Sequence, residues 1–139
     1  ESVIAVTQKG AANGVATLDS TGRLPSTQLP TSLSTTSFYH AITTPSNSTV
    51  VVKRIFKEKI QINGLNVFTA SGTLSLQLAV NGVGQGSTYS VTSSNQDITL
   101  STAIEVDATS ASKSIGFIVT NNASGNGLQV TIAASVVST

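Results

Sequence analysis

Hydrophobic and polar residues alternate with a period of two through most of the chain beyond its first quarter. The clearest run is residues 73–80, where Leu74, Leu76, Leu78 and Val80 alternate with small or polar residues before a turn at Asn81-Gly82. Successive side chains of a strand point to opposite faces, so this period indicates half-buried strands. No helical period of 3.6 residues extends over a long window. The pattern therefore predicts an all-β body.

We expect roughly nine short strands, separated by clusters of turn residues. They cover residues 38–44, 49–53, 56–67, 73–80, 87–92, 97–100, 103–106, 115–120 and 128–137. Turn residues cluster at 95–96, 109–114 and 121–127. Many short strands at regular spacing are typical of an antiparallel β-sandwich, either jelly-roll-like or immunoglobulin-like.

One strand changes its inward face partway along. In residues 56–62 the apolar positions, beginning with Phe56, are expected to point into the core. The parity reverses at Asn63-Gly64, after which Leu65 and Val67 become the inward positions. A reversal by one residue at a glycine predicts a β-bulge or a tight bend.

The first part of the chain has a different character. Residues 9–30 are polar and rich in turn signals, and Pro25 and Pro30 exclude a helix or a central strand. Residues 31–37 form a Ser/Thr linker. We therefore divide the chain into an extended N-terminal arm with its linker, residues 1–37, and a β-sandwich domain, residues 38–139.

The arm contains few large aliphatic side chains, and these are the candidates for contact with a partner. They are Val15, Leu18, Leu24 and Leu29. A thin extended segment gains little from ordering alone, because fixing each residue costs conformational entropy. We expect these four residues to anchor the arm on another protein.

Composition narrows the class of protein. Hydrophobic residues make up 39% of the chain, aromatic residues 4% and charged residues 9%, while Ser and Thr account for about three residues in ten. This balance predicts an aliphatic core with hydroxyl groups outside, as in β-rich extracellular or virion-surface proteins. A net charge of +1 argues against nucleic-acid binding. The sequence has no stretch of 18 apolar residues, so no membrane-spanning segment is predicted.

Two further features of composition bear on processing and chemistry. The chain contains no cysteine, so disulfides and thiolate metal sites are excluded. It also contains no methionine, and we expect it to be a processed product or a piece of a longer protein.

Catalytic chemistry finds little support. His40 is the single histidine and has no acid near it in sequence, so we expect a packed or surface residue. Its alternative role is to bind an ion together with its copies from two other chains, on the threefold axis of a trimer. Asp97, Glu105 and Asp107 are candidates for Ca²⁺ binding, although solvated face charges are favoured because their spacing fits no calcium motif. We predict no enzyme activity and no cofactor.

Four of the seven cationic side chains fall within seven residues, at Lys53, Arg54, Lys57 and Lys59. This cluster fits contact with an acidic capsid surface, with lipopolysaccharide phosphate or with another subunit. It equally fits a solvated strand edge on which Lys prevents edge-to-edge pairing. Both interpretations remain open.

The arm carries a recognisable motif. Residues 9–30 read K-G-A-A-N-G-V-A-T-L-D-S-T-G-R-L-P-S-T-Q-L-P. This segment resembles the K-G-x-A-N-G-x-A-x-L-D-x-x-G-x-x-P-x-x-Q-L-P block found near the fibre, spike and decoration domains of tailed bacteriophages. A looser resemblance, over residues 56–82, is to sandwich domains of phage structural proteins.

The resemblance implies a non-enzymatic structural protein on the virion surface. The favoured role is a homotrimeric fibre or spike component, attached through its arm to other virion proteins and displaying the sandwich to host-surface glycans. One alternative is a capsid decoration or head-fibre protein bound to the shell. Another is a carbohydrate-binding or adhesin module of a secreted bacterial protein, which would use the same sandwich without a particle.

Overall fold

The computed structural model describes residues 16–25 and 35–137. The chain divides into two units, with the boundary between Ser34 and Thr35. The second unit contains eight strands: β1 (Thr35–Ile42), β2 (Ser48–Ile55), β3 (Lys59–Phe68), β4 (Ser71–Val80), β5 (Val83–Val91), β6 (Gln96–Asp107), β7 (Lys113–Asn126) and β8 (Leu128–Val136). No helix in the described ranges is long and apolar enough to cross a membrane.

The eight strands form two four-stranded sheets, in the orders β1-β8-β3-β6 and β2-β7-β4-β5. Every pairing between neighbouring strands is antiparallel. The first strand pairs with the eighth, the second with the seventh, the third with the sixth and the fourth with the fifth. This is the pairing of one long hairpin that is folded into two layers. This is the jelly-roll arrangement. The all-β prediction and the sandwich are confirmed, and of the two predicted variants the jelly roll is observed.

Inward side chains of both sheets form one aliphatic core. In β4 the predicted apolar positions Leu74, Leu76 and Leu78 are buried, and Val80 is partly buried against the same core. Phe117 of β7 is the largest buried side chain, and the rest of the core is Ile, Val, Leu and Ala. Close packing of these groups supplies most of the stabilisation expected of a body without disulfides.

The turn predicted at Asn81-Gly82 and the bulge predicted at Asn63-Gly64 are both observed. Asn81 and Gly82 have φ of 52° and 77° and connect β4 to β5, as a two-residue hairpin turn requires. The β3 register shifts between Ile62 and Gly64 against both neighbouring strands, which is the expected β-bulge. Leu65 is buried beyond the bulge, as the reversed parity predicted.

Phe56 does not face the core, and the prediction that it does is wrong. Its side chain is 57% exposed. β2 ends at Ile55 because Lys57 adopts φ of 59°, a left-handed conformation that interrupts extended backbone. The Lys57 N–H donates instead to the Ala108 carbonyl, at 2.6 Å, which ties the β2–β3 loop to the β6–β7 loop.

Several strand boundaries differ from prediction. β1 begins at Thr35, so the predicted linker ends earlier than residue 37. The expected strands 97–100 and 103–106 are one strand, β6, whose extra residues between Thr99 and Ile104 are accommodated by a register shift opposite the β3 bulge. Eight strands are therefore observed in the described part of the chain where about nine were predicted.

The predicted turn cluster 121–127 is largely an extension of β7. Asn122 holds this irregular segment: its N–H donates to Asn47 Oδ1 at 3.0 Å and its Nδ2 to the Pro45 carbonyl at 2.6 Å. Its Oδ1 accepts from the Gly125 N–H at 2.7 Å. One amide side chain thus replaces ladder hydrogen bonds that the irregular backbone cannot make.

Candidate functional sites

The described part of the arm, residues 16–25, is organised by one carboxylate. Asp19 Oδ1 accepts hydrogen bonds from the Thr21 N–H at 2.8 Å, the Thr21 hydroxyl at 2.7 Å and the Arg23 N–H at 3.0 Å. The Asp19 N–H donates to the Arg23 carbonyl at 2.7 Å, and the Gly22 N–H donates to the Asp19 carbonyl at 3.0 Å. Gly22 has φ of 77°, which favours glycine. The L-D-x-x-G part of the motif is therefore a built turn.

Two of the four predicted anchor residues flank this turn. Leu18 is 63% exposed and Leu24 is 39% exposed. Asp19 and Arg23 are bonded to one another, and Leu18 and Leu24 lie immediately outside this pair along the chain. Val15 and Leu29 lie outside the described residues. The turn is thus flanked by two exposed apolar side chains.

The Asp19 turn is expected to show itself in a pH titration. The hydrogen bonds, that from the Thr21 hydroxyl first, lower the pKa of Asp19 below its ordinary value of 3.8. Ionised Asp19 therefore stabilises the turn, and this contribution is fully present at pH values above the ordinary pKa. It is lost as the pH falls through the lowered pKa. We expect Thr21→Val to move the Asp19 titration, followed by NMR of its side-chain carbon, back toward the ordinary value.

Ser20→Ala is the matched control for this titration, since it removes the neighbouring hydroxyl, which makes no hydrogen bond to the carboxylate in the described turn. It should leave the Asp19 pKa unchanged. Equal titration midpoints in the wild type and Thr21→Val would contradict the assigned hydrogen bond.

The four clustered cations do not form one patch. Lys53 and Arg54 are on β2 in one sheet, whereas Lys59 begins β3 in the other. Lys59 Nζ lies 2.9 Å from Glu105 Oε1, and this hydrogen bond raises the pKa of Lys59. Lys57 Nζ sits 5.1 Å from the centre of the Phe56 ring, a cation–π contact.

Lys53 does line a groove between the edge strands β1 and β2. The groove has a volume of about 380 Å³ and is lined by Thr36, Phe38, Lys53, Glu58, Ile60 and Val136. Its polar rim combines one cation with one carboxylate, so it has no strong preference for a charged ligand.

The remaining candidates for ion binding or catalysis are dispersed. His40 packs edge to face on the Phe117 ring, with 6.1 Å between ring centres. Glu105 pairs with Lys59, and Asp107 accepts from the Thr109 N–H at 3.0 Å, a bond that lowers its pKa. Within the described ranges no three His, Asp or Glu side chains are grouped to hold a metal ion.

The outer face of the β1-β8-β3-β6 sheet carries a cluster that sequence analysis missed. The register aligns Tyr39, Thr131, Asn66 and Asp97 in one row across the four strands. Gln129 and Phe68 pair with one another immediately beside this row. The Tyr39 hydroxyl donates to Gln129 Oε1 at 3.0 Å, and Asn66 Nδ2 donates to Asp97 Oδ1 at 2.6 Å.

This cluster, which we call the outer-face cluster, joins residues from four strands that are far apart in sequence. An exposed Tyr in an alternating strand is the only local signal for it. Binding residues are common on exposed loops, whereas this cluster lies on the sheet.

Comparison with known proteins adds no relationship to these observations: no protein-family model matches the chain, and no curated protein matches its sequence.

Proposed function

We propose that this chain is a non-enzymatic structural protein of a bacteriophage virion, a homotrimeric fibre or spike component attached by its N-terminal arm. The observation that carries the proposal is the Asp19 turn with its two exposed leucines, set inside the phage-like motif. A turn stabilised by its own hydrogen bonds, with apolar side chains in water, is suited to a partner surface that covers them.

The body supports a display role. It is a separate unit with its own aliphatic core. The proposal gives His40 no catalytic role, in keeping with its packing on Phe117. In this role the protein sits at the virion surface and contacts other virion proteins through the arm.

A second candidate function is a carbohydrate-binding module of a secreted bacterial protein. The outer-face cluster favours it, because it combines an exposed aromatic ring with amide and carboxylate groups. Labelling intact particles with antibody against the body separates the two. Labelling of tails supports the fibre role, labelling of the shell supports the decoration alternative, and particles without label would contradict both virion roles.

The arm is tested by Leu18→Asp combined with Leu24→Asp. Each leucine contributes about 1.5–3 kcal/mol when fully buried, and a buried unpaired carboxylate adds a further cost. We expect light scattering to show a trimer of about 42 kDa, three copies of the 14.1 kDa chain, for the wild type and a smaller species for the double variant. The melting temperature of the body should stay within about 2 °C.

Val83→Asp is the matched control, since Val83 is 62% exposed but belongs to the body. It should leave the trimer intact. A wild-type monomer at micromolar concentration would contradict trimerisation. A fall of several degrees in the melting temperature of the double variant would show instead that the leucines stabilise their own chain.

A further inference from the structure

We propose that the outer-face cluster is a binding site for neutral oligosaccharides, with Tyr39 and Phe68 against the sugar rings and Gln129, Asn66 and Asp97 bonded to sugar hydroxyls. The inference rests on the display role in the proposed function and names the ligand class that the body would meet. The site is on the outer face of one sheet, whereas the groove lies between β1 and β2.

Tyr39 provides the apolar contact. Its ring is 61% exposed, yet its hydroxyl is held by Gln129 on the neighbouring strand at 3.0 Å. The phenol therefore leans over the sheet toward β8 and leaves ring surface facing solvent. Pyranose rings present apolar C–H groups on one face, and an aromatic ring that is already ordered buries them at small entropic cost. Phe68, half-buried on the same face, extends the apolar surface beside Gln129.

Asn66, Asp97 and Gln129 provide the polar contacts. Adjacent sugar hydroxyls donate and accept at once, and a side-chain amide or carboxylate complements them in the same plane. The bond of 2.6 Å between Asn66 Nδ2 and Asp97 Oδ1 holds both planar groups in place before a ligand arrives. It occupies one Asp97 oxygen, so the second has lone pairs for a hydroxyl.

The charge of the cluster selects the type of sugar. Asp97 is the single charged member, and the cluster contains no cation to balance an anionic ligand. A carboxylate beside the ligand repels sulfate, phosphate and sialic acid groups but accepts hydrogen bonds from uncharged hydroxyls. Neutral hexoses and N-acetylhexosamines are therefore favoured over acidic glycans.

The sizes of the side chains on this face determine how a bound oligosaccharide would be oriented. The row next to Tyr39 consists of small residues, Ser37, Ala133, Gly64 and Thr99, aligned across the same four strands. A shallow trough therefore runs across the strands beside the taller Tyr39 row. Four strands span roughly 14 Å, the reach of a short oligosaccharide, so we expect a linear chain of sugars to lie across the sheet.

The test uses the full chain and five neutral hexasaccharides: cello-, malto-, manno-, galacto- and hexa-N-acetylchitohexaose. Each is titrated to about 5 mM, which covers millimolar dissociation constants, while backbone amide shifts are followed by NMR. We expect at least one to bind, with shifts centred on Tyr39, Asn66 and Gln129. Tyr39→Ala and Asn66→Ala should each weaken that binding about tenfold or more, and Tyr39→Phe should weaken it less than Tyr39→Ala.

Phe56→Ala is the matched control, because it removes an exposed aromatic side chain outside the cluster. It should leave the affinity unchanged, and thermal melting confirms that every variant is folded. Absence of binding by all five sugars, shifts centred on another surface, or tighter binding of a sulfated hexasaccharide would each overturn the proposal. The Leu18→Asp, Leu24→Asp variant should keep the same affinity per chain, which separates failure of this site from failure of the arm.

Discussion

Replacing Phe117 with alanine is expected to reduce the free energy of unfolding by about 3–5 kcal/mol. The side chain is 0% exposed and is the largest in the core. Phe117 pairs with Val50 on one side and Leu78 on the other, and its ring contacts His40 of the opposite sheet, so its removal leaves a cavity between the two sheets. Denaturant unfolding followed by circular dichroism measures the change, and the melting temperature should fall by roughly 10–20 °C.

Phe56→Ala provides the control for the same change of residue type. Its ring is largely in water and contacts the Lys57 ammonium. Surface substitutions of this kind alter stability by about 0.5 kcal/mol or less. Equal losses at positions 56 and 117 would contradict the observed placement of the two rings.

Gly116→Ala is expected to destabilise the body by about 2–3 kcal/mol, although it adds a single methyl group. A Cβ atom at Gly116 would overlap the Val50 carbonyl oxygen of the neighbouring strand β2. Because that atom belongs to the backbone, β2 must shift away from β7, and the hydrogen bonds beside its bulge at 51–53 would weaken. Chemical denaturation gives the free energy, and hydrogen exchange should show faster exchange in β2 than in β4.

Gly84→Ala tests the same substitution in the same row of the same sheet. The row runs through Val51, Gly116, Ala79 and Gly84. At Gly84 the added methyl meets the end of the flexible Gln77 side chain, which can swing away and lose its bond to the Gly86 carbonyl. We expect a loss under about 1 kcal/mol. A larger loss at Gly84 than at Gly116 would contradict the steric argument.

Strand interiors were predictable because alternation reports burial directly. The inward leucines of β4, the turn at Asn81-Gly82 and the bulge at Gly64 all follow from local chemistry. Strand ends were less predictable. Phe56 continues the apolar alternation of β3, but the left-handed conformation of Lys57 separates it from the strand. Nothing in the residue types around Lys57 indicates that conformation.

The candidate sites also differ in how far the sequence predicts them. The Asp19 turn follows from sequence, since an Asp three residues before a Gly favours the observed hydrogen bonds. The outer-face cluster depends on register between β1, β8, β3 and β6, and no local pattern fixes which residues of distant strands align. The cations at 53, 54, 57 and 59 are close in sequence but are divided between β2, the β2–β3 loop and β3, and β2 and β3 belong to different sheets.

The position of β1 determines how the body resists tension. β1 is an edge strand, joined by eight residue pairs to β8 alone within its sheet. A pull through the residues before Thr35 acts along the axis of β1. When the opposing force is applied at the start of β8, where Leu128 pairs with Ile42, all eight pairs are loaded together in shear. When it is applied at the C-terminal end of β8, beside Thr35, the pairs open one after another. Forced unfolding is governed by the unfolding rate, so the same body should be mechanically strong toward a load at its far loops and weak toward a load at its C-terminus.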